Sequence, residues 1–367
     1  MLRDSAAPVE DVQAWSWRIP TDAPESDGTF AWNATTLVLA QVRAGGREGI
    51  GYSYGPAAGA ALVRESLAQV LHQQDALDTM ALFVRMRQAA RNLGRQGVAA
   101  LAISAVDAAL WDLKGKLLGQ PVVHLLGGAA RRAVAVYGSG GFTSYDRAQL
   151  QEQLAGWASQ GMRFVKMKVG REPAQDPQRV AWAREAVGPD TQIFVDANGA
   201  CTRSEALALA QRFAECDVRW FEEPVSSDDV PGLCLLRHRA PARMEIAAGE
   251  YGFDLLHFRS LLEGGAVDVL QADATRCGGL TGFMAAAALC QAHGVPLSSH
   301  CAPALHVAAC CCAATAVHME WFHDHARIER MLFDGAPQPV QGLVEADRSR
   351  PGLGLAFRWA DAKEYAS

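Results

Sequence analysis

The stretch Phe164-Val165-Lys166-Met167-Lys168-Val169-Gly170 sets two lysines two residues apart in a run of strand-favouring residues. Side chains at i and i+2 of a strand share a face. Lys166 and Lys168 therefore point the same way as Phe164. Two ammonium groups side by side disfavour each other's charge, which lowers their pKa and makes one a usable base near neutral pH. An edge strand wearing lysines against aggregation is the other reading of this stretch alone. Downstream, the ends of successive strand-like runs carry Asp196 and Asn198, Glu222 and Glu223, Glu250, Asp273, His300 and Glu320. One acid at one strand end is an ordinary rim residue or helix cap. An ionisable group at every end from the lysine strand onward is a site.

The carboxylates that end the third to fifth strands suit a hard divalent cation. Mg²⁺ takes oxygen ligands in an octahedron and leaves positions open for water or substrate. No histidine or thiolate lies among these strand ends, which disfavours zinc. Strand parity makes Glu222 and Glu223 face opposite ways and does not choose between them.

The elements that must position these groups repeat with a rhythm. Strand-like runs recur at 134–137, 164–169, 193–196, 220–223, 246–250, 267–273, 296–300 and 318–322, at intervals of roughly 20 to 30 residues. Helical patterns fill most gaps, clearest at 204–216 and 280–292. Strand alternating with helix about eight times reads as a (β/α)8-type barrel, of the α/β class, whose active site lies at the C-terminal strand ends. An open doubly wound sheet is the competing fold, but no Gly-x-Gly-x-x-Gly turn follows an early strand. Ahead of the barrel, 36–42 and 49–54 read as a hairpin and 98–118 as a long helix. The Pro- and Gly-containing stretch 19–32 reads as a mobile loop. The expected division is an α+β capping domain at 1–128, the barrel at 129–335, and a segment at 336–367 that packs back on the cap.

Composition removes several functions. The chain has 367 residues, a formal charge of −6 and no basic block, which argues against nucleic acid and membrane surfaces as partners. No apolar run is long enough to span a bilayer, and Met1-Leu2-Arg3-Asp4 opens no signal core. Nine cysteines in an acidic chain read as reduced thiols in a cytoplasm. The adjacent Cys310, Cys311 and Cys312 would fan out on a helix and read as small buried hydrophobes. His323-Asp324-His325 reads as a polar loop, with lining of the barrel mouth as the alternative.

The ordered set Lys166-x-Lys168, Val195-Asp196-Ala197-Asn198-Gly199, Phe221-Glu222-Glu223-Pro224 and Gly249-Glu250 resembles the enolase superfamily. Asp273, His300 and Glu320 make the chain similar to its mandelate racemase subgroup, as does the stretch from Ser104 to Lys116. The resemblance implies one Mg²⁺ per subunit on Asp196, Glu222 and Glu250, supported by Asn198. It implies Lys168 as base with Lys166 tuning it, His300 oriented by Asp273 acting on the other face, and a protonated Glu320 donating to the substrate carboxylate. Pairing of Glu320 with a neighbouring cation is the alternative reading. The implied activity is proton abstraction α to a carboxylate, followed by loss of water from a sugar acid. Racemisation of a 2-hydroxy acid is the alternative outcome, and a non-catalytic barrel the alternative of another class. A homo-oligomer is also implied. An amidohydrolase-type barrel would carry His-x-His on its first strand, where this chain reads Val134-Ala135-Val136-Tyr137-Gly138. Substrate contacts are expected from the cap, with Asp27, Trp32, Tyr52 and Tyr54 as candidates.

Overall fold

The computed structural model describes residues 7–366, so the opening Met1–Asp4 stretch lies outside the described residues. Three antiparallel strands come first: β1 (Val9–Ser26), β2 (Ala31–Ala44) and β3 (Arg47–Tyr54). Alternate residues of β2 feed two cores, as a period of two requires. Leu37 and Leu39 join the core shared with the barrel, while Val38, Ala40 and Val42 join the core of the cap. Residues 19–32, expected as a mobile loop, are instead the far end of the β1–β2 hairpin. The register shifts between Pro20 and Glu25 and pairing then resumes at Glu25 with Trp32. Pro20 and Pro24 bracket an irregularity of a strand pair and do not end it. The turn is closed by Asp27, whose carboxylate accepts from the N–H groups of Thr29 (2.6 Å) and Phe30 (2.7 Å).

Helix Val98–Leu118 lies across this sheet. The approach is close enough that a Cβ on Gly51 of β3 would sit 2.3 Å from the Ala105 carbonyl oxygen. The helix also docks on the barrel. Ser104 Oγ accepts from Gly278 N–H (2.9 Å), Asp107 accepts from the N–H (3.0 Å) and hydroxyl (2.6 Å) of Thr281, and Trp111 donates to Thr281 Oγ1 (2.9 Å).

Eight parallel strands follow: β4 (Ala133–Gly140), β5 (Phe164–Lys168), β6 (Gln192–Asp196), β7 (Val218–Glu222), β8 (Glu245–Ala248), β9 (Val269–Ala272), β10 (Leu297–Ser299) and β11 (Ala316–Phe322). They pair in chain order, and β11 returns to β4, so the sheet is closed and the open-sheet alternative falls. Capping boxes at Asp146 and Thr202 start two of the outer helices. Tyr137, Phe194, Trp220 and Val269, with Phe164 against them, pack together inside the barrel. The chain then adds Leu343–Glu345 antiparallel to β4, and Trp359 packs edge-on against Trp15 of β1 at 4.7 Å.

Gly51→Ala should destabilise the protein by at least about 1–3 kcal/mol, because the helix backbone cannot withdraw; urea unfolding at unchanged m-value would check this. A second strut between cap and barrel is the Tyr52 hydroxyl on Glu329 Oε1 at 2.6 Å. Burial pushes the Glu329 carboxyl up to about 8 from 4.5, against the pull of that hydrogen bond. Its folded pKa is raised, so its contribution to stability is full below 4.5 and lost as pH climbs towards 8. Melting temperatures of Glu329→Gln should decline less than the parent's across that window. Parallel curves would contradict the assignment.

Candidate active site

Strand register brings the first groups side by side. Lys168 pairs with Asp196 and Asp196 with Glu222 across β5, β6 and β7. Glu250 follows β8 through Gly249, whose φ of +134° and 2.1 Å approach to the Gln271 carbonyl oxygen from a built Cβ admit only glycine. Asn198 turns the chain after β6 at φ +46°, a conformation asparagine tolerates. One carboxylate oxygen each from Asp196, Glu222 and Glu250 lie within 4.8 Å of one another, and all three residues are buried. The Trp220 indole donates to Glu222 (2.9 Å), and the Asn198 N–H to Asp196 (2.9 Å). Asn198 Oδ1 and Glu223 Oε1 are buried oxygens with no hydrogen-bond partner. An all-oxygen donor set with spare buried acceptors fits Mg²⁺ and gives zinc no soft ligand. Glu223 departs from the parity expectation. The chain leaves the strand there at φ +37°, and the side chain is buried where the charges of Glu250 and Asp196 reach it.

Lys166 is 0% exposed. Its Nζ lies 2.6 Å from Glu222, 2.8 Å from Glu320 and 3.5 Å from Asp196, while Lys168 Nζ is bonded to Asp196. Burial alone would lower both lysines, and Lys166 adds to that effect on Lys168. The surrounding carboxylates outweigh these effects and raise both. The expectation that the pair lowers its own pKa is thus corrected: each lysine meets more negative than positive charge. The edge-strand reading also falls, because β5 lies between β4 and β6 of a closed sheet. Glu320 accepts from Lys166 and from the Cys301 N–H (2.7 Å). Burial opposes its charge, but Lys166 and His300 hold the carboxyl well below the usual range. Glu320 is thus paired with a neighbouring cation, the alternative reading of this residue.

His300 Nδ1 meets Asp273 Oδ2 at 2.8 Å, and its Nε2 lies 3.2 Å from Glu250 Oε2. Against the penalty of burial, His300 holds Asp273 down at about 2. Burial works against the imidazolium too, but neighbouring Cys301 and Glu250 leave His300 well above 6.5. Beyond His300 the backbone is strained, with φ of +52° at Cys301 and +40° at Ala302. That geometry aims two successive N–H groups at Glu320 and at His325.

Lys168 and His300 line one cavity of about 280 Å³ beneath the hairpin turn, together with Asn198 and Glu250. Asp27 and Trp32 line it as expected candidates. Tyr52 and Tyr54 do not: Tyr52 is wholly buried against Glu329, and Tyr54 stacks on His325 at 3.5 Å. Residues 323–325 form the first turn of helix His323–Leu332, and His325 lines the cavity, correcting the polar-loop reading. Arg276, Tyr251 and Thr35 also line it and were not singled out from the sequence; Arg276 follows Asp273 by three residues, which was the available signal. Cys301 lines the wall, Cys277 does not. A larger cleft of about 840 Å³ beside Met80 and Val84 contains none of the strand-end residues.

Residues 18–127 match the mandelate racemase/muconate lactonizing enzyme N-terminal domain, and residues 149–362 match the enolase C-terminal domain-like family. The chain belongs to the mandelate racemase subgroup of the enolase superfamily. Among curated members of this superfamily, it is 32% identical to L-talarate/galactarate dehydratase of Salmonella typhimurium, over 82% of this chain and 77% of that one. It is 33% identical to 3,6-anhydro-alpha-L-galactonate cycloisomerase of Streptomyces coelicolor, over 95% and 97%. Among solved structures, a mandelate racemase/muconate lactonizing enzyme-like protein from Rubrobacter xylanophilus shares 50% identity at a TM-score of 0.96, covering 98% of this chain and all of that one. A racemase from Streptomyces coelicolor with bound magnesium shares 31% at 0.92, with 98% and 100% covered.

Mg²⁺ should raise the melting temperature of the parent protein, since an ion that binds only the folded state stabilises it. Asp196→Asn and Glu250→Gln should each lose most of that rise. An undiminished rise in either variant would remove that residue from the ligand set.

Proposed function

We propose that this chain is an Mg²⁺-dependent acid-sugar dehydratase. The observation that carries the reading is one cavity lined by Lys168, His300 and Glu250, with Asp273 bonded behind His300 and Asp196 and Glu222 converging on Glu250. A proton α to a carboxylate is weakly acidic because its loss piles charge on the carboxylate oxygens. A divalent cation held by Asp196, Glu222 and Glu250 would neutralise that charge and offset the carboxylate field that now raises the lysines. Lys168 receives the α-proton at Nζ. His300 passes a proton from Nε2 to the departing β-hydroxyl, while Asp273 holds its Nδ1–H and supports the imidazolium. Lys166, fixed by Glu222 and Glu320, tunes the site beside Lys168. The cap closes it from above, and Asp27 and Trp32 contact the distal part of the acid.

The cycloisomerase relative, matched along nearly its whole length, favours a second reading in which a ring oxygen replaces water as the β leaving group. The abstraction step is the same. For an acid with no β leaving group, His300 would instead return a proton to the opposite face, which is racemisation. Assembly as a homo-oligomer, a cytoplasmic location and chain divisions after residues 128 and 335 belong to the same proposal. Nine unpaired cysteines support the location, and no helix among the described residues is long and apolar enough to cross a membrane.

Incubation with Mg²⁺ in D₂O and pools of aldonic, aldaric, anhydro-sugar and 2-hydroxy aromatic acids, followed by proton NMR, should show a sugar acid giving way to a 2-keto-3-deoxy product. Exchange of the α-proton without elimination would make the protein a racemase or epimerase. Lys168→Ala and His300→Asn should each lower turnover at least about 100-fold. Retention of full rate by Lys168→Ala would assign the base elsewhere.

A further inference from the structure

A second group of ionisable side chains lies where the hairpin meets the last barrel helix. Asp22 and Glu25 come from the irregular end of β1, and His323 opens helix His323–Leu332. One donor atom from each lies within 4.8 Å of the other two, with His323 Nε2 2.8 Å from Asp22 Oδ2. Glu25 is 1% exposed. Its Oε2 accepts the Trp32 indole N–H at 2.7 Å, whereas its buried Oε1 has no hydrogen-bond partner. A buried carboxylate oxygen without a donor is costly. Burial and the charge of Asp324 push the Glu25 carboxyl up to about 9. The neighbouring guanidinium, Arg327, is already committed to Asp324 and to the Pro20 carbonyl. Nearby carboxyl groups thus outnumber the nearby cation.

We propose that Asp22, Glu25 and His323 form a second cation site, separate from the Asp196–Glu222–Glu250 triangle, for a divalent transition ion such as Zn²⁺. One imidazole nitrogen with two carboxylate oxygens suits a borderline-soft ion better than Mg²⁺. Three protein ligands leave a position for water. Access is available, since the Asp22 and His323 side chains reach solvent and Glu25 borders a surface cleft of about 610 Å³. The ion would join the hairpin to the barrel, and the same hairpin carries Asp27 and Trp32 into the catalytic cavity. Its occupancy would therefore bear on the position of the substrate-facing wall.

The test is to dialyse Mg²⁺-saturated protein against Zn²⁺ and measure both metals per chain by atomic emission, for the parent, Glu25→Gln and His323→Gln. The parent should retain one more zinc per chain than either variant, with an unchanged magnesium count and an anomalous zinc peak among the three side chains in crystals. Equal zinc in all three proteins would overturn the proposal, as would a parent that retains no zinc beyond what displaces magnesium. Asp22→Asn, on the solvent side of the group, serves if either other variant fails to fold.

Discussion

Charge buried without water is the constraint on which this molecule depends. An isolated ion loses several kcal/mol on burial unless partners compensate. The barrel buries two lysines with Asp196, Glu222, Glu250, Asp273 and Glu320. Lys166, touching three carboxylates at once, is the centre of that compensation. A closed parallel barrel can hold such an arrangement because strand register, and not loop conformation, sets which side chains are neighbours. The aromatic packing inside the barrel supports it, and the Trp220 indole links that packing to Glu222.

The cap completes the enclosure through a small number of polar struts. Ser104, Asp107 and Trp111 grip the segment 278–281, which follows directly from the loop bearing Asp273 and Arg276. Tyr52 reaches Glu329 on the helix that follows β11. Residues of the cap that lie outside the cavity thus fix the barrel loops near Asp273 and His300.

Much of this was legible in the sequence where one period or one position sufficed. The strand–helix rhythm showed the barrel, and the strand ends showed the groups that the structure brings together. What could not be read depended on bonds between distant residues. Tyr52 looked like a cavity residue because it lies near the end of a cap strand, but its partner lies far along the chain. The lysine pair looked self-suppressing because only its nearest neighbours were visible, whereas the carboxylates that reverse its shift come from β6, β7 and β11. The prolines of 19–32 resembled loop punctuation because pairing across an irregularity leaves no local pattern. Glu223 escaped parity because parity ends where the strand does.

The hairpin turn contributes to the cavity yet holds none of the groups whose charges balance inside the barrel. Its Asp27 is satisfied by its own turn, and Trp32 by Glu25. Changes at positions such as Phe30 and Ala34 are therefore uncoupled from the electrostatic balance below, whereas Thr35 donates to the buried Asp324 of the helix that follows β11. The cavity wall that the hairpin supplies can thus vary in shape without unbalancing the charges buried beneath it.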